Sequence, residues 1–172
     1  MKHLSILAAG LIAPTLAFAD FRGMDDAQIV DVVMTANRVA IDTGLLAESK
    51  SSNHAVKAFA QRKMTDHNAM HRLAAELVEK LGLRPRDSMI GNELRTDNEK
   101  GFAELAAMQG IEFDKAYIDQ NVVLHQHVLD TIDNRLMPSA SSEELKALLY
   151  NMFAPLSDHL EHALQVQESL NN

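Results

Sequence analysis

The chain has 172 residues, no cysteine, no tryptophan, 7 glycines, 4 prolines and a formal net charge of −8. That length is one domain with room for a core, and 47% apolar residues argue against disorder. The acid excess argues against a nucleic-acid partner, and the absence of cysteine excludes disulfides, thiolate metal sites and a cysteine nucleophile.

In chain order, the first feature is an export signal. Lys2 and His3 give a short positive start, Leu4 to Leu16 is apolar, and Ala17-Phe18-Ala19 offers the small residues that signal peptidase reads. We expect cleavage between Ala19 and Asp20, a signal peptide over 1–19, and a single domain over 20–172 in the periplasm. The apolar run is too short for a transmembrane span, and no later segment qualifies.

Four long helical stripes follow. Ile29, Val33, Ala36, Asn37, Ala40, Gly44 and Ala47 recur at helical spacing, and the stripe breaks at Lys50-Ser51-Ser52-Asn53, where Ser52 or Asn53 can cap the next helix. The second stripe runs Val56, Phe59, Ala60, Met64, His67, Met70, Ala74, Leu77, Leu81 and stops at Gly82. Residues 83–111 form a long connection with a shorter helix over Asn92 to Met108. The third stripe carries Phe113, Tyr117, Asn121, His125, Val128, Ile132 and Leu136 and stops at Pro138; Ser141 then opens a capping box with Glu144. Leu145, Leu148, Met152, Leu156, His159, Ala163, Val166 and Leu170 form the fourth. This pattern predicts an all-α, ferritin-like, up-down-down-up four-helix bundle with a short extra helix in the crossover between helices 2 and 3.

Three stripes each place a histidine inward: His67, His125 and His159. Asn37 holds the matching position on the first helix, while Met64, His71 and His162 lie at spacings that allow supporting ligands. Counted from turns at Ser52, Met137 and Ser142, His67 is level with Asn37, but His125 and His159 differ in height by ~7–8 Å. Pro155 could bring them closer by kinking its helix. Asp66 lies ~100° around the helix from His67, which points it toward solvent, Arg62 or Lys63.

Imidazole donors suit zinc, copper or iron, so one reading is a transition-metal site. The other is a structural or envelope-stress protein whose buried histidines bond neighbouring groups. Nothing indicates an enzyme. The Glu-x-x-His motif of di-iron bundles is absent, as are P-loop, nucleophile-elbow and dinucleotide signatures. Protein partners are unspecified, with self-association open.

Val56-Lys57-Ala58-Phe59-Ala60, Met64-Thr65-Asp66-His67, Phe113-Asp114-Lys115-Ala116-Tyr117-Ile118, His125 and His159-Leu160-Glu161-His162-Ala163 together resemble domain of unknown function 4142 (DUF4142). That exported bacterial family carries no established reaction. The resemblance covers about Asp25 to Leu170 and implies a ferritin-like helical bundle in the periplasm or envelope. It also implies recurrent histidines at His67, His125 and His159. One departure stands out: where the family has Asn-x-x-Glu-Ile-x-x-Gly, this chain reads Asn37-Arg38-Val39-Ala40-Ile41-Asp42-Thr43-Gly44, with Ala40 in place of the glutamate.

Overall fold

A computed structural model describes residues 23–172, so the expected signal peptide and its cleavage point lie outside the described residues. Within them the chain is all-helical. Helix α1 (Asp26–Lys50) and α2 (His54–Leu81) are followed by α3 (Met89–Ala107) and α4 (Gly110–Thr131). A π-helical segment (Ile132–Leu136), a short turn of helix α5 (Met137–Ser139) and α6 (Glu143–Asn171) complete the order. No described helix is long and apolar enough to cross a membrane.

Local chemistry sets the ends. Asp25 and Gln28 form a reciprocal capping box at the start of α1, and Asn53 caps α2 through Ala55 and Val56. Gly82 ends α2 in the left-handed conformation, φ 62°, which a Cβ would resist. Helix α3 starts at Met89 rather than Asn92, because Ser88 accepts from the Gly91 amide. The expected capping box at Ser141 does not form. Ser142 is the cap of α6, while Ser141 donates to the carboxylate of Asp26 and so ties this loop to the start of α1.

The third stripe does not stop at Pro138. Helical backbone continues to Ser139, with the Met137 amide donating to the Ile132 carbonyl five residues back. A proline lacks the amide that an α turn would need at this point, and its ring crowds the carbonyl four residues earlier. The wider π turn accommodates both.

Cross-helix contacts fix the directions. Asn37 meets His67, Thr43 meets Lys63 and Glu48 meets Lys57, so α1 and α2 are antiparallel. Asp119 meets Gln167 and His125 meets His159, so α4 and α6 are antiparallel as well. Lys63 to Asn121 and His67 to His125 keep the same offset, which makes α2 and α4 parallel. Gly44 lets α1 approach α2 closely; a Cβ there would run into the Met64 side chain.

The interior is layered. An aliphatic cluster around Ile29, Val33, Ala74, Ile132, Leu149 and Leu156 fills one end. An aromatic-centred cluster around Phe59, Phe113, Tyr117, Ile118 and Ala163 fills the other. Burying each of the larger aliphatic and phenylalanine side chains among them contributes roughly 1.5–3 kcal/mol. Between the clusters, every one of α1, α2, α4 and α6 contributes buried polar residues: Asn37, Lys63, His67, Asn121, His125 and His159.

Candidate metal centre

The three histidines selected by the stripe pattern converge. One ring nitrogen from each of His67, His125 and His159 lies within 4.8 Å of the other two, and the ring centroids are 5.2–5.9 Å apart. All three residues are buried. The expected height mismatch between His125 and His159 disappears because helix continues through the π segment. His125 lies fourteen residues before Ser139 and His159 sixteen after Glu143, a difference of only ~3 Å along the axes.

Each ring uses one nitrogen for an anchor. His67 Nδ1 bonds Asn37 Oδ1 at 2.8 Å, and Asn37 is itself fixed because its Nδ2 donates to the Val33 carbonyl at 2.8 Å. His125 Nδ1 bonds the Asn121 carbonyl at 2.8 Å, one turn back on α4. His159 Nε2 bonds Asp66 Oδ2 at 2.9 Å. All three anchors are acceptors, so the bonded nitrogen must carry the hydrogen and the other must present its lone pair. Those other atoms, His67 Nε2, His125 Nε2 and His159 Nδ1, are buried and have no hydrogen-bond partner. With the other nitrogen of each ring taken by its anchor, these three are the atoms left free to ligate.

Electrostatics hold the rings neutral. Burial, then the Lys63 ammonium and the other two rings, keeps His67 well below the usual histidine range. Burial and Lys63 push His125 down to about 3, against a small opposing pull from the Asn121 carbonyl. His159 is lowered by burial, partly offset by Asp66. Neutral imidazole is the form that ligates a metal.

Sequence reasoning missed Lys63. The second stripe placed Met64 inward, but Met64 packs over Gly44 and the fully buried side chain is Lys63. Its ammonium donates to Asn121 Oδ1 at 2.7 Å and Thr43 Oγ1 at 3.3 Å, and it stands 4.9 Å from the Tyr117 ring centre. Burial lowers its pKa to about 7. The signal was present: Phe59, Lys63 and His67 recur four residues apart, on one face of α2. Asp66 also needs correction. It reaches Arg62 at 3.8 Å, as expected, but not Lys63; its principal partner is His159 across the helix interface.

The supporting residues divide. Asn37 anchors His67 as described. His71 and His162 stay outside the converging group; His162 instead sets its ring edge-on to Phe59, 5.4 Å between centroids. Ala40 is 2% exposed and borders a cavity of about 20 Å³ shared with Asn37, His67 and His125. No side chain from α1 therefore reaches the histidines at that position.

Comparison with known proteins places the chain. It belongs to the family described as domain of unknown function (DUF4142), whose model matches residues 13–166. No curated protein and no solved structure matches.

Proposed function

We propose that this protein is an exported periplasmic binding protein that holds one transition-metal ion through His67 Nε2, His125 Nε2 and His159 Nδ1. The observation that carries this reading is the set of three buried, unpartnered nitrogens whose rings are each fixed from behind by an acceptor. Metal-ligating histidines are commonly held this way, the anchor setting the tautomer and raising the basicity of the ligating atom. Without a cation, three buried lone pairs lacking a donor are costly. Zinc, copper and iron all accept an imidazole set, and bonds of about 2.1 Å would draw the rings together by about 1 Å.

In this reading the four long helices α1, α2, α4 and α6 form a ferritin-like, up-down-down-up bundle, with α3 as the extra helix in the crossover. The pairwise helix directions support it. No di-iron carboxylate set is present among the described histidine-bearing turns, so the role is binding rather than ferroxidase chemistry.

The test is metal content of the untagged full chain after loading with zinc(II) or copper(I). Wild type should hold one ion per chain and His125→Ala well below that. Asp66→Asn, which removes the charged anchor of His159, should bind tenfold to a hundredfold more weakly. Equal, substoichiometric metal in wild type and His125→Ala would sink the reading. Export is tested separately by N-terminal sequencing of protein from the periplasmic fraction, which should begin at Asp20; an uncleaved cytoplasmic chain would refute it.

A further inference from the structure

Three protein nitrogens leave a tetrahedral metal with one open position, the arrangement that accepts an outside ligand. Two cavities lie back to back on that side of the protein. The inner one, about 20 Å³, is bounded by Asn37, Ala40, His67, His125 and otherwise by apolar side chains such as Leu156 and Met152. Its volume is of the order of one water-sized sphere. The outer one is an open cleft of about 690 Å³ between α1, α3 and α4. Val39, Leu94 and Leu124 line both, so three apolar side chains are the partition between solvent and the histidines.

The walls select the ligand. Glu93, Asp97, Glu104 and Asp119 line the cleft against one lysine, Lys100, and His127, an acidic balance that disfavours an approaching anion. The apolar partition disfavours any ion. The inner volume admits one or two heavy atoms. The partition can also yield, because Leu94 belongs to α3, whose only buried residues are Gly91 and Leu105. By contrast, Val39 and Leu124 sit on helices packed on both sides.

We infer that the cavity beside Ala40 seats one small neutral molecule, of one or two heavy atoms, on the open face of the metal, and that it enters from the α1–α3–α4 cleft past Leu94. This rests on the metal reading above and goes beyond it in naming the ligand class and the route. Water is the smallest member of that class and the diatomic gases the largest.

Carbon monoxide on the copper(I)-loaded full chain tests this, read by its infrared stretching band and by recombination after flash photolysis. Wild type should bind one carbon monoxide per copper. Ala40→Leu, which fills the inner cavity and leaves all three histidines in place, should keep its copper and lose at least tenfold in carbon monoxide affinity. Should Ala40→Leu lose its helical circular dichroism, Ala36→Val narrows the same cavity from the neighbouring turn and is read in the same way. Leu94→Ala should speed recombination several-fold. A chain that takes zinc but not copper(I), or copper(I) but no carbon monoxide, overturns this inference and leaves the metal reading standing. Unchanged affinity in the cavity-filling variants overturns the seat, and unchanged recombination in Leu94→Ala overturns the route. A chain that takes neither metal fails at the earlier reading instead.

Discussion

The aliphatic end of the interior and the polar layer beside it are carried by the same four helices, yet they follow opposite rules. Around Ile29, Val33, Leu149 and Leu156 the core is an aliphatic cluster in which any well-shaped hydrocarbon would serve. In the layer of Asn37, Lys63, His67, Asn121, His125 and His159, each side chain is specified by a partner, and three ring nitrogens are left over. Burial of the first kind stabilises the fold. Burial of the second kind opposes it, and on the metal-binding reading proposed above an ion in the gap reverses that.

The comparison breaks most readily with acid. His67, His125 and His159 are all held below the ordinary histidine pKa of 6.5, and His125 protonates in the folded protein only near 3. Below pH 6.5 the unfolded chain therefore binds protons that the folded chain refuses, so stability falls as pH falls. His67 and His125 together bring the slope toward about 3 kcal/mol per pH unit, and His159 adds in the same direction. Denaturant melts of the metal-free protein between pH 7 and pH 4 should fall steeply; a flat profile would mean the rings protonate freely where they sit.

Lys63 gives the same comparison at alkaline pH. Its folded pKa of about 7 lies below the ordinary 10.5, so between those values the unfolded chain holds a proton that the folded chain has released. Stability should rise by about 4 kcal/mol from pH 7 to pH 10. Lys63→Met should abolish most of that rise and be the more stable chain at pH 7. Parallel wild-type and variant curves would mean that Asn121, Thr43 and the Tyr117 ring fully sustain the ammonium.

The smallest expected effect is the most direct contrast. Leu149→Ala, in the aliphatic cluster, should cost about 3 kcal/mol, within the usual range for such cavities. His125→Leu in the metal-free protein should be neutral within about 1 kcal/mol or stabilising. It removes an unpartnered nitrogen, and the Asn121 carbonyl keeps its helical bond. Comparable losses in the two variants would make the polar layer ordinary packing.

Periodicity carried most of this into view before any coordinates. The stripes located four long helices, the crossover helix and the three histidines, because burial on one helix face imposes a spacing that sequence displays directly. It failed where two positions compete for the same face. Met64 and Lys63 are neighbours, and hydrophobicity favoured methionine; the lysine is inside because Asn121, Thr43 and two aromatic rings receive it. Such reception is a tertiary property, invisible along one strip of residues. The same holds for Asp66, whose histidine partner is 93 residues away. Proline at position 138 signals a stop along the sequence, whereas the backbone widens around it and continues to Ser139.

That widened turn also sets the phase of the helix before it. A π segment holds one more residue than the α turn it replaces, with little added length. The extra residue between Ile132 and Leu136 offsets the phase of everything before it by ~100° relative to the loop that follows. Deleting one residue there would leave all three histidines in the sequence and would rotate His125 out of the convergence.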